Sequence, residues 1–138
     1  MNLERIEAGQ EIPALTFTPD NAQLFLYNAA LWNAHRIHFD HPYTLEVEGY
    51  PGLVIPGPLM GDWLAQAVLE WAGDEGELVR FEYSNRRAAY IGDTLHTRGS
   101  VVAIDAQKRE VVVKVELFNQ ADQLLVPARA VVRFAERP

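Results

Sequence analysis

Apolar and polar positions divide the chain into two helical stretches followed by strands. Leu24, Tyr27 and Leu31, with Phe25, Asn28 and Trp32, fall at helical spacing over a wide apolar face. Thr18-Pro19-Asp20-Asn21 supplies a start, with Thr18 as cap, Pro19 at the first helical position and Asp20 complementing the helix dipole. This predicts a helix from about Pro19 to Leu31. The strongest pattern comes later. Met60, Trp63, Leu64, Ala67, Val68 and Trp71 fall at i, i+3, i+4, i+7, i+8 and i+11, one sustained stripe. Leu59 and Leu69 widen it, so this second helix is expected to be buried, and Gly73 stops it.

The remainder reads as strands: Leu78 to Tyr83, Thr94 to Ile104, Glu110 to Phe118 and Leu124 to Phe134. Lys114 and Glu116 alternate with Val113, Val115 and Leu117, so one face of that strand is wet. Asp105 to Lys108 and Asn119 to Asp122 are polar hairpin loops. Ile12 to Phe17 is a short apolar lead-in. Two helices and then three or four antiparallel strands predict an α+β fold in which a curved sheet wraps the long buried helix.

At 138 residues the chain reads as one domain, and 49% apolar residues can fill its core. Cysteine is absent, which excludes disulfides and thiolate chemistry and fits a cytoplasmic protein. Met1 to Gln10 carries Glu4, Arg5 and Glu7 and is not read as a signal peptide; no run approaches membrane-spanning length. The net charge of −7 argues against a general nucleic-acid surface. It leaves room for a local cationic patch, and the adjacent Arg86 and Arg87 could meet an anionic ligand such as a nucleotide-bearing carrier.

Candidate chemistry concentrates in Asn33-Ala34-His35-Arg36-Ile37-His38-Phe39-Asp40. The stretch sits between the first helix and a Gly/Pro-rich turn, Gly49 to Gly52, that leads through Leu53-Val54-Ile55 to Pro56-Gly57-Pro58 and the buried helix. His35, His38, His41 and Asp40 lie within seven residues, but Pro42 and the turn composition argue against the continuous helix that would align them on a metal, and none is expected.

These two segments together, Asn33 to Asp40 and Gly49 to Leu59, resemble the MaoC-like (R-specific) enoyl-CoA hydratases and dehydratases. Within that family they are most similar to the itaconyl-CoA and mesaconyl-CoA hydratase branch. The resemblance runs from about Ala14 to Phe134 and implies a single hot-dog domain. In the common family pattern an Asp stands five residues before a catalytic His. Here His38 falls on the His position, Asn33 on the Asp, His35 on an orienting Asn and Arg36 on a Pro. The branch is similar to this sequence in carrying Asn, His and Arg there. Pro56 stands where the family often has His.

The resemblance implies reversible water addition to an acyl thioester, carried by coenzyme A or by acyl carrier protein, without a further cofactor. That reaction needs a base for water, an acid for the α-carbon and donors for the thioester oxygen. His38 is the expected base, since imidazole titrates near neutral pH. Asn33 cannot donate a proton as an acid and is expected to orient substrate or water. His35 is the next candidate proton carrier and Asp40 follows, although Asp40 also suits a helix cap ahead of Pro42. Gly57, Leu59 and Met60 are expected to offer unpaired amides at the start of the buried helix. Arg36 and Asp40 are further candidates for substrate contact.

Members of the branch are often double hot-dogs, so pairing into a homodimer or higher oligomer, or with a different subunit, is expected. Two rivals remain. A thioesterase on the same fold would want an acid near the start of the buried helix, where Asp62 lies, and a non-catalytic acyl-CoA-binding companion subunit would explain Asn33 in place of the acid.

Overall fold

The computed structural model describes residues 1–136. Two two-residue strands open it, β1 (Glu11–Ile12) and β2 (Thr16–Phe17), followed by helices α1 (Asn21–Ala30), α2 (His41–Glu46) and α3 (Gly57–Ala72). Strands β3 (Gly76–Tyr83), β4 (Leu95–Asp105), β5 (Glu110–Phe118) and β6 (Leu124–Phe134) complete it. The sheet is antiparallel in the order β1-β4-β5-β6-β3, with β2 also pairing on β4. It therefore has six strands rather than three or four, because β1 and β2 are too short to show a period.

The buried helix expected from the stripe is α3, and every stripe residue from Met60 to Trp71 is buried. It touches β1 and β3, the two ends of the sheet, as well as β5 and β6 between them. A sheet that reaches one helix from both ends wraps it, which is the hot-dog arrangement. Val111, Val113, Val115 and Leu117 from β5 and Ala128, Ala130, Val132 and Phe134 from β6 are buried in the same core as Trp63, Leu64, Val68 and Trp71 from α3. Each large apolar side chain buried this way contributes about 1.5–3 kcal/mol. Gly73, at φ 68°, ends α3 in a conformation glycine adopts without a Cβ penalty. Leu69 does not widen the stripe but is 41% exposed.

Two details depart from expectation around α1. Its cap is Asp20, whose side chain accepts from the Gln23 amide, so Thr18 and Pro19 lie outside the helix. Asp20 wins because its carboxylate accepts at the positive end of the helix dipole. The wide apolar face is also not packed inward. Only Leu24 and Asn28 of α1 are buried, while Phe25, Leu26, Leu31 and Trp32 are exposed, Trp32 by 94%.

Candidate active site

The stretch Asn33 to Asp40 is shaped by its own short-range hydrogen bonds. After α1 the chain turns through Trp32 at φ 54°, and the Asn33 amide donates back to the Asn28 carbonyl. The Asn33 side-chain oxygen accepts from the His35 amide at 3.1 Å, a local turn that Asn favours. One turn of 3-10 helix, Arg36–His38, follows. Asp40 then caps α2 by accepting from the Tyr43 amide, with Pro42 in the first turn.

Val54 fixes this stretch to the rest of the fold. Its N–H donates to the Ile37 carbonyl at 2.9 Å, and its carbonyl meets His38 Nδ1 at 2.6 Å. A carbonyl can only accept, so Nδ1 carries the proton and neutral His38 presents Nε2 as a free base. His38 is 7% exposed. Burial pushes its pKa below the ordinary histidine value, the positive potential of His35 adds to the lowering, and the Val54 hydrogen bond opposes it. The His35 ring stands edge-on to His38 with 5.7 Å between centroids and is itself exposed.

His38 and Gly57 line one cleft of about 340 Å³ together with Ile37, Val54, Met60 and the loop Asn85 to Ala88. The Gly57 amide, at the first residue of α3, has no hydrogen-bond partner among the described residues. Leu59 and Met60 differ from expectation. Both their amides turn back on the Pro56 carbonyl, at 3.1 and 3.3 Å, because Pro56 precedes the helix with its carbonyl facing the first turn. Met60 still lines the cleft. Gly57 also permits a close approach: a Cβ there would lie 2.9 Å from Cγ of Asn85 and nearer still to its amide nitrogen.

The other candidates lie elsewhere. Asn33 lines a separate apolar groove with Phe25, Asn28, Ala29, Trp32, Ala34 and Phe39. Asp40 and Arg36 are bound to each other, Arg36 Nη2 donating at 2.8 Å and Nε at 3.0 Å to the same carboxylate oxygen. The Arg36 guanidinium, with help from the Tyr43 amide, holds the Asp40 carboxyl below the usual carboxylate range, so it stays ionised and cannot deliver a proton at neutral pH. Arg36 further lies over the Tyr43 ring at 4.0 Å. Asp62 is exposed and accepts from the Tyr27 hydroxyl at 3.1 Å, away from the cleft. Burial and that carboxylate raise the Tyr27 pKa well above the ordinary tyrosine value. No group of three or more His, Cys, Asp or Glu side chains able to hold a metal occurs among the described residues.

Asn85 is the cleft residue that the sequence reading missed. Its signal was weak, a polar Ser84-Asn85-Arg86-Arg87 break at the end of an apolar strand. Nothing in that break says that the loop folds over Gly57, a residue nearly thirty positions earlier.

Comparisons with known proteins agree with this architecture. The fold superposes on the (R)-hydratase from A. caviae involved in PHA biosynthesis with a TM-score of 0.88 at 18% identity, covering 96% of this chain and 99% of that one. Over 45 residues the chain is 56% identical to the mesaconyl-C(4)-CoA hydratase of Chloroflexus aurantiacus, covering 33% of this chain and 16% of that protein. Over 84 residues it is 34% identical to the mitochondrial hydroxyacyl-thioester dehydratase type 2 of Schizosaccharomyces pombe, covering 57% and 27%. The chain thus spans well under a third of the length of either relative. Residues 3–91, well over half of the chain, match one family along their length, and the chain belongs to the hydroxyacyl-thioester dehydratase type 2 family.

Proposed function

We propose that this chain is an acyl-thioester hydratase or dehydratase, adding water to an enoyl thioester or removing it from a 3-hydroxyacyl thioester. One observation carries the reading: His38, whose Nε2 has no hydrogen-bond partner among the described residues, and the Gly57 amide, likewise unpaired there, line the same cleft. In the hydration direction the thioester oxygen accepts from Gly57 N–H. Nε2 of His38 takes a proton from water as the oxygen bonds to the β-carbon, and the electron pair moves to the thioester oxygen as an enolate. Protonation of the α-carbon collapses the enolate. The proton count closes on His38 alone, which returns the proton it took, so neither Asp40 nor Asn33 is needed as an acid. His35 is an auxiliary polar group through its ring contact with His38, and Asn33 is a positioning residue that shapes the turn.

Coenzyme A is the carrier in this reading, no prosthetic group is required, and the location is the cytoplasm. The chain acts as a homo-oligomer, supported by the exposed apolar side chains of α1 and by β3, an eight-residue strand at the end of the sheet. The thioesterase rival loses support because Asp62 is outside the cleft.

The test is an assay of purified protein with crotonyl-CoA, following enoyl absorbance and free thiol together. Loss of absorbance without thiol release is expected. Thiol release without hydration would sink the reading. His38→Ala is expected to lose about 10²–10⁴-fold in rate, the usual range for a general base. Unchanged activity in that variant would remove His38 from the mechanism.

A further inference from the structure

Arg86 and Arg87 are the cationic side chains of the cleft, and like Arg5, Lys108 and Arg129 they have no ion pair among the described residues. Arg36, Arg80, Arg98, Arg109 and Arg133 each lie within 4.0 Å of a carboxylate. Neither Arg86 nor Arg87 has a carboxylate partner or a side-chain hydrogen bond among the described residues, in a chain that carries 19 acidic and 12 basic residues. Both are exposed, and both line the cleft that holds His38 and Gly57. Their backbone is not loose: the amides of Arg86 and Arg87 both donate to the Leu125 carbonyl, at 2.9 and 3.2 Å. Arg86 is also shared with an adjoining groove of about 310 Å³ that carries Arg129, Lys114 paired with Glu116, and Glu82 paired with Arg80. Arg129 likewise has no ion pair among the described residues. Two unpaired guanidinium groups on an anchored loop form a site for anionic oxygens, which their planar fork of donors binds in pairs.

We infer that Arg86 and Arg87 are specificity-determining residues that hold an anionic group of the thioester substrate against the cleft. The inference rests on the proposed function for its substrate. Two parts of such a substrate offer anionic oxygens: a carboxylate on the acyl group and the phosphates of the carrier. Their distance from the thioester distinguishes them. An acyl carboxylate lies close to the reacting carbons, whereas the arm between a thioester sulfur and the carrier diphosphate is about four peptide units, or roughly 14 Å, when extended. An acyl carboxylate is within reach of both arginines inside the cleft. A phosphate would be met outside it, towards Arg86 and the groove with Arg129.

The experiment measures binding of three saturated thioesters, which cannot be hydrated, to wild-type protein and to an R86A/R87A variant by calorimetry. Butyryl-pantetheine has neither anion, succinyl-pantetheine has only the acyl carboxylate, and butyryl-CoA has only carrier phosphates. The expected result is a rise in Kd of about tenfold or more for at least one anionic ligand relative to butyryl-pantetheine, the scale of a lost charge-assisted contact. A rise confined to succinyl-pantetheine assigns the acyl carboxylate, and one confined to butyryl-CoA assigns the phosphates. R86K/R87K should recover part of the loss, since charge survives without the planar fork. Equal Kd changes for all three ligands, no change, or no binding to wild-type protein would overturn the inference. Because no turnover is needed, this outcome is separate from that of the crotonyl-CoA assay.

Discussion

Replacing Gly57 with alanine tests the cleft at its tightest point. The new Cβ would stand 2.9 Å from Cγ and 3.3 Å from Oδ1 of Asn85, with Nδ2 closer than either. Ordinary van der Waals contact begins at 3.4 Å, so Cγ must retreat by at least 0.5 Å (3.4 − 2.9) and the amide nitrogen by more. Asn85 is exposed, so its side chain can rotate away into solvent at a cost of about 0.5–1.5 kcal/mol if it leaves a rotamer minimum. Stability should therefore change little. Activity should not be spared, because a displacement of about 1 Å in an active site costs on the order of 100-fold. The assay is crotonyl-CoA hydration with a thermal melt on the same sample: kcat/KM down about 100-fold, with the melting midpoint moved by less than about 8 °C per kcal/mol lost. The G57A/N85A double variant separates two causes. Recovery would show that a displaced Asn85 blocks the cleft, and continued loss would show that the Cβ itself obstructs the amide. Wild-type kcat/KM in Gly57→Ala would refute the role given to Gly57.

Four further outcomes follow from the same geometry. The acidic limb of the kcat/KM profile should have its midpoint below 6.5, since His38 must be neutral to act as base and burial lowers its pKa from that value; a midpoint above 6.5 would contradict the burial argument. The same depression links to folding: neutral His38 is favoured in the folded state, so its contribution is fully present above pH 6.5 and is lost as pH falls through the lower folded pKa, a slope that should vanish in His38→Gln. Gly61→Ala should destabilise by about 1–3 kcal/mol in denaturant melts, because its Cβ would lie 2.6–2.9 Å from the Tyr83 ring, and Tyr83→Ala should relieve the cost. Asp40→Ala should melt lower than Asp40→Asn, since asparagine keeps the α2 cap and loses only the Arg36 pair; equal melting would show that the cap contributes nothing.

The fold was readable where a period was long enough to be unambiguous. The α3 stripe from Met60 to Trp71, the β5 alternation and the two hairpin loops all fall where the pattern places them. β1 and β2 were not readable, because two residues cannot express alternation. At the site, the titratable side chains were visible as a cluster, but their grouping was not. Asn33, five residues from His38, faces a different groove, while Asn85, forty-seven residues away, shares its cleft. Hydrogen bonds of the short turn decide the first, and the β3–β6 pairing that ends at Tyr83 and Ala128 decides the second. Neither leaves a mark in local composition. The amides of Leu59 and Met60 were misread for a related reason: proline before a helix lacks a donor, yet its carbonyl still accepts.

The acceptor that sets the His38 tautomer belongs to the main chain at Val54, so no codon specifies it. Any residue at 54 supplies the same carbonyl, and proline alone would take away the N–H that meets Ile37. Val54 lines the cleft, and its side chain has no part in holding the proton on Nδ1. On the proposed function, divergence at residue 54 can therefore change which acyl groups fit while the imidazole keeps its tautomer. On the same reading, chemistry and selectivity fall on separate atoms of one residue, and apolar substitutions that suit the buried position of Val54 should alter substrate range while keeping activity.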